Sequence, residues 1–163
     1  MSSRPEMVGE ASFEVFYRST RDRVAAALAL ATGSVDLGAE AADEAMARAY
    51  PRWRDLEGTD NPAGWVYRVG LNWARSTMRK RRDVPVDVFE GEARSTLVRD
   101  PQLHQALAEL PVKYRAVVVC RYYLDWDVAQ TATALGVAPG TVKSRLNRAL
   151  RRLRAQIKEG PDQ

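Results

Sequence analysis

Apolar residues recur along most of this chain every three or four positions, the period of an α-helix with one buried face. Phe13, Phe16, Val24, Leu28 and Ala31 form the first such stripe. It predicts a helix that Ser12 can cap and that Thr32-Gly33-Ser34 stops, with residues 1–10 a polar, frayed end. A second helix, rich in alanine, runs from about Asp36 to Tyr50 and ends at Pro51. The segment WRDLEGTDNP reads as a turn-rich loop, and Pro62 then opens a third helix reaching Arg82. Val66, Val69 and Trp73 mark one apolar edge of that helix, and Tyr67, Leu71, Ala74 and Met78 another. Its polar face carries Arg68, Asn72, Arg75, Arg79 and Arg82. Trp65 and Trp73, at helical spacing, are expected to pack wholly or partly into the core.

Residues 83–100 lose this period and become acidic, which reads as an interdomain linker. Helical pattern returns at Pro101 with Leu103, Ala106, Leu107 and Leu110, breaks at Pro111, and resumes through Tyr114, Val117 and Val118. No strand signal competes anywhere. The expected fold is all-α: two small helical domains, 10–82 and 101–157, joined by a flexible linker over 83–100, each half building its own small core. Domains of this size are marginal alone and often depend on a partner.

The last stretch, DVAQTATALGVAPGTVKSRLNRALRRLR, is the most informative. Asp127 can cap a short helix, with Gln130 completing a capping box. Gly136 suits the left-handed stop of that helix, and Pro139 suits the first turn of the next. Val137 can fill the turn. Val142, Leu146, Leu150 and Leu153 form an apolar stripe opposite Lys143, Arg145, Arg148, Arg151, Arg152 and Arg154. This is a helix-turn-helix pattern, whose second helix reads the DNA major groove with its N-terminal residues. A solvated amphipathic hairpin would also have a basic face. It would not explain why Thr141, Lys143, Ser144 and Arg145 crowd the first turns, where a groove-reading helix needs donors.

Charge supports that reading through its placement. The net charge is only +4, but residues 101–163 hold 10 Lys/Arg against 5 Asp/Glu, whereas 83–100 hold 2 against 5. The basic excess sits beside the helix-turn-helix, as a footprint for phosphate should. The single cysteine, Cys120, excludes an intramolecular disulfide, and its apolar neighbours predict a buried thiol. A reducing cytoplasm fits. No signal peptide is evident, and the longest apolar run is too short for a membrane span. No catalytic constellation appears: His104 is the only histidine and lacks metal-ligand partners, and no phosphate-loop pattern is present. Enzyme, metal and cofactor roles are therefore not expected.

GTVKSRLNRALRRLR resembles the recognition helix of sigma region 4 in the extracytoplasmic-function (ECF) sigma factors of bacterial RNA polymerase. The N-terminal half resembles sigma region 2 in three places. FEVFYRSTRDRV resembles the opening helix. GAEAADEAMARAYPRW resembles the stretch that binds the clamp helices of the polymerase beta-prime subunit, with Glu40, Asp43 and Glu44 at the acidic–Gln–Glu positions and Asp43 replacing the usual Gln. NPAGWVYRVGLNWARSTMRKRR resembles the helix that engages and opens the minus-ten element, and the loop before it, about Trp53 to Asn61, the part that takes a flipped base.

The resemblance implies an initiation subunit that binds core RNA polymerase (beta and beta-prime subunits) and promoter DNA. Its minus-thirty-five contacts fall on Lys143, Ser144, Arg145, Asn147 and Arg148, with Thr141 and the helix N-terminus as phosphate donors. The minus-ten strand would follow Arg68, Asn72, Arg75, Arg79, Lys80 and Arg82, a cationic track of the kind that holds single strands. ECF relatives are commonly held inactive by an anti-sigma factor, a further candidate partner. Two alternatives stay open at this stage: a helix-turn-helix repressor that never touches polymerase, and a sigma-like protein that binds core without melting DNA.

Overall fold

The computed structural model describes residues 4–82 and 100–158, with side chains from residue 9 onward. All regular structure among them is helical. The N-terminal half comprises α1 (Arg4–Thr32), α2 (Val35–Ala49), a 3-10 turn (Tyr50–Arg52), α3 (Trp53–Glu57) and α4 (Pro62–Arg82). The C-terminal half comprises α5 (Pro101–Glu109), α6 (Val112–Val118), a π-helical turn (Val119–Tyr123), α7 (Val128–Leu135) and α8 (Pro139–Lys158). The linker expected over 83–100 lies outside the described residues, apart from Asp100, whose side chain accepts from the Gln102 and Leu103 amides and caps α5.

Alanine sets the tight packing of α1, α2 and α4. Ala41, Ala42, Ala45 and Ala49 on α2 have no exposed surface. Gly38 sharpens the approach, since a Cβ there would fall 2.5 Å from the Ala29 amide nitrogen of α1. Ser34 caps α2, its hydroxyl accepting from the Leu37 amide. Asn61 does the same for α4 through the Gly64 amide.

Two expectations fail near the N-terminus. Ser12 is not a cap, because α1 already runs from Arg4, through most of the end expected to fray at 1–10. The Ser12 hydroxyl instead donates to Glu57 at 2.9 Å and accepts from the Trp53 indole at 3.3 Å. The supposed loop from Trp53 to Asn61 begins with the short helix α3. Trp53 is buried, stacks on Phe16 at 4.6 Å and meets Phe13 edge-on at 5.5 Å, so the aromatic contact holds α3 against α1. Trp65 and Trp73 are half-buried against the core, as their spacing predicts.

The two halves also do not keep separate cores. The largest apolar cluster contains Val24, Leu28, Val66 and Tyr67 from the N-terminal half with Ala116, Val119, Cys120, Leu124, Trp126 and Ala134 from the C-terminal half. A second cluster, around Leu107, Leu110, Tyr114, Ala149 and Leu153, belongs to the C-terminal half alone. The reason is area: helices this few leave apolar faces that only the other half can cover.

Candidate nucleic-acid and partner surfaces

The helix-turn-helix forms through the local chemistry its sequence implies. Asp127 accepts from the Gln130 amide at 2.7 Å while the Gln130 side chain accepts from the Asp127 amide at 3.0 Å, a complete capping box. Gly136 takes the left-handed conformation, φ +66°, and its amide returns to the carbonyls of Ala132 and Thr133. Val142, Val117 and Ala132 bury together with Val137 against them, which sets α7 against α8. Ala149 and Leu153 bury farther along α8.

The opposite face of α8 is open. Lys143, Ser144, Asn147 and Arg148 are exposed, Thr141 and Arg145 half-exposed. The Ser144 hydroxyl bonds the Thr141 carbonyl at 3.1 Å. Arg148 has a second engagement: its guanidinium, beside the Tyr114 hydroxyl, holds that phenol below its usual pKa. The Arg152 guanidinium lies over the same ring, 4.9 Å from its centroid. Tyr114 thus anchors the cationic face of α8 to α6, a role the sequence pattern did not reveal.

On α4, Arg68, Asn72, Arg75, Arg79 and Arg82 are all exposed and, at steps of four and three, occupy one stripe. Lys80 is exposed one position off it. Arg81 falls off the stripe and turns to α2, pairing with Glu40 at 3.2 Å. The three acidic positions of α2 are all engaged within the chain: Glu40 with Arg81, Asp43 with Arg21 at 3.0 Å, and Glu44 with Arg48 at 3.0 Å. These pairs are largely solvent-exposed, and such pairs contribute only about 0–1 kcal/mol, so a basic partner can exchange for them at little cost.

Between α4 and α7 lies a cleft of about 560 Å³. Leu56, Thr59, Asn61, Trp65 and Arg68 form one wall, and Gln130, Thr133 and Ala134 are on the other. The Arg68 guanidinium reaches the C-terminal end of α7, where a Cβ on Gly136 would fall 2.7 Å from it. The exposed stripe and the helix-turn-helix therefore meet at Arg68, which residue spacing alone could not show. No helix among the described residues is long and apolar enough to cross a membrane.

Comparison with known proteins bears on both halves. Residues 101–153 match the family described as Sigma-70, region 4. The RNA polymerase sigma-E factor of Streptomyces coelicolor is 34% identical over 159 residues, spanning 89% of this chain and 85% of that protein. The ECF RNA polymerase sigma factor SigL of Mycobacterium tuberculosis is 33% identical over 140 residues, spanning 78% of each. This chain belongs to the ECF RNA polymerase sigma factors. The sigma factor RpoE of Bartonella quintana, solved in complex with the anti-sigma factor NepR, shares the fold with a TM-score of 0.73 at 20% identity, covering 93% of this chain and 99% of that one. As a sigma factor, the protein binds core RNA polymerase and directs promoter-specific initiation of transcription. A free-standing helix-turn-helix repressor would not explain a likeness that runs through the N-terminal half.

Proposed function

We propose a division of labour along this sigma factor. Residues 101–157 place α8 in the major groove of the minus-thirty-five duplex through Lys143, Ser144, Arg145, Asn147 and Arg148, with Thr141 at a phosphate. Residues 10–82 bind the minus-ten element, its displaced strand running along Arg68, Asn72, Arg75, Arg79, Lys80 and Arg82. Residues 83–100 connect the two. Glu40, Asp43 and Glu44 dock on basic clamp helices of the polymerase beta-prime subunit. The protein carries no catalytic step of its own and works in the cytoplasm, beside polymerase and DNA. An anti-sigma factor is a candidate regulator, since the structural neighbour was captured with one.

The observation that carries this reading is the second cationic row. A repressor needs α8 alone, whereas here α4 also presents five aligned polar and cationic side chains to solvent. An acidic patch on α2 has no use against phosphate and does have one against a basic protein surface. Reversing a charge there juxtaposes like charges and penalises docking strongly. Glu44→Lys should therefore abolish both pull-down with core polymerase and run-off transcription. Helical circular dichroism should survive, because Glu and Lys have similar helix propensity. Binding to a minus-thirty-five duplex should also survive. A folded Glu44→Lys protein that binds core and transcribes normally would reduce Glu44 to a solvated charge.

A further inference from the structure

Helices α6 and α8 gather cations where the base-reading segment of α8 ends. The Tyr114 ring of α6 is only 5% exposed and belongs to the apolar cluster of Leu107, Leu110, Ala149 and Leu153. Lys113 Nζ lies over this ring, 5.1 Å from its centroid, and the Arg152 guanidinium lies over it at 4.9 Å. Arg148, beside the phenol oxygen, is the third cation. All three residues are exposed. None of them takes part in the described ion pairs, so no carboxylate offsets the cluster there.

The position of the cluster on α8 relates it to a DNA groove. Successive residues turn by about 100° around a helix, so Arg152 stands about 40° around α8 from Arg148 and roughly 6 Å farther along. Both lie to one side of the line opposite the buried stripe of Val142, Ala149 and Leu153. A helix with its side chains is about 10–12 Å across, and the major groove is about 12 Å wide. Side chains opposite the buried stripe therefore point at base edges, and those turned toward the flank meet the phosphates of the groove wall. Lys113 joins that flank from α6, because it shares the Tyr114 ring with Arg152.

From this placement we infer that Lys113 and Arg152, next to Arg148, form a phosphate clamp on the strand beside the minus-thirty-five element, and that the buried Tyr114 ring holds the clamp in position. The inference rests on the assignment of α8 to the minus-thirty-five duplex. A backbone phosphate is an anion whose oxygens accept from several donors and carry no base identity, so the clamp fixes register while the residues before it read sequence. The ring restrains two long side chains that otherwise give up rotamer freedom on binding. The cations also repel one another, and a phosphate between them relieves that repulsion. Continuity with Arg148 selects DNA over an acidic protein surface as the occupant.

The salt dependence of duplex binding tests this in the full chain. Each phosphate contact contributes about 0.9 to the slope of log affinity against log salt. Lys113→Gln and Arg152→Gln should each flatten the slope by about that amount. Each should weaken binding several-fold at low salt, equally for a duplex carrying the selected minus-thirty-five element and for a scrambled one. Arg18→Gln removes one cation from α1, where Arg18 pairs with Glu14, and should leave the slope unchanged. Helical circular dichroism should match wild type in all three variants, since the replaced side chains are exposed and glutamine is as good a helix former.

Unchanged slopes in both Lys113→Gln and Arg152→Gln would overturn the inference and leave the cluster to an acidic partner of another kind. A loss confined to one base pair would overturn it too, because the cluster would then read a base. If wild type prefers no minus-thirty-five duplex over scrambled DNA, the functional reading falls, and the slopes on scrambled DNA still decide the clamp. Tyr114→Leu checks the ring with all three cations kept. It should retain the wild-type slope and lose several-fold in affinity on both duplexes, and Tyr114→Phe, which keeps the ring, should recover most of that loss. A folded leucine variant that binds like wild type would overturn the positioning role of Tyr114; if leucine unfolds the chain, the two glutamine variants still decide the clamp.

Discussion

Replacing Tyr67 by alanine should destabilise the protein by about 3–5 kcal/mol, the range for emptying a fully buried aromatic site. Tyr67 has no exposed surface. Its ring stands edge-on to Trp126 with centroids 5.8 Å apart, a contact worth roughly 0.5–1.5 kcal/mol beyond burial. The walls around it belong to both halves, so the space left by truncation cannot close through one side chain turning. Tyr67→Phe isolates the hydroxyl. That group bonds the Ala116 carbonyl at a long 3.4 Å, and the same carbonyl already receives the Val119 amide. No acceptor is stranded, and the loss should stay near or below ~1 kcal/mol. Urea unfolding followed by circular dichroism, with midpoints compared at constant slope, measures both variants. A phenylalanine variant as damaged as the alanine one would shift the weight from ring to hydroxyl and refute the packing argument. An alanine cost under about 1 kcal/mol would show that the ring does not fill a shared core.

Three further outcomes follow from the same geometry. Arg145→Ala should lose about 1–3 kcal/mol at one preferred base pair of a minus-thirty-five duplex, as a missing bidentate contact does; a loss equal across all sequences in a competition assay would make Arg145 a phosphate contact instead. Gly136→Ala should lower the thermal midpoint by an amount equivalent to at least ~1–2 kcal/mol, because φ is +66° there and the new methyl meets the Arg68 guanidinium, so an unchanged melt would contradict the capping account. Stability should also fall above about pH 9. Burial raises the Cys120 thiol from 9.0 to about 12 and the Tyr67 phenol well above 10.0. Each stays protonated in the folded chain while the unfolded chain ionises. The stabilisation is therefore complete below the unfolded pKa and is lost as pH rises toward the folded one, at about 1.4 kcal/mol per unit for each group. Urea midpoints measured at several pH values, with Cys120→Ala removing the thiol's share of the slope, would expose a flat profile if this is wrong.

The parts of this protein that its sequence determined are those held by neighbours a few residues away. Asp127 and Gln130 close a capping box across three positions, Gly136 supplies its own left-handed stop, and Pro139 begins the next helix. The alternation of Val142, Leu146 and Leu153 with Lys143, Asn147 and Arg148 sets which side of α8 is buried, because helical period needs no tertiary information. The cationic row on α4 was legible for the same reason. Arg81 could have been told apart there, since it falls off the stripe. What only the tertiary structure decided lies in contacts between residues from 22 to 49 positions apart. Ser12 looked like a cap and became a partner of Trp53 and Glu57. Tyr67 looked like one edge of a helix and became the plug between the halves through Ala116. Glu40 and Asp43 were read only as acids facing a partner, and each also pairs within the chain, with Arg81 and Arg21. Arg115 shows the limit most plainly. A charged residue after Tyr114 carries a local preference for solvent, and only the closing of one half upon the other, which buries more apolar surface than one guanidinium can oppose, places it inside.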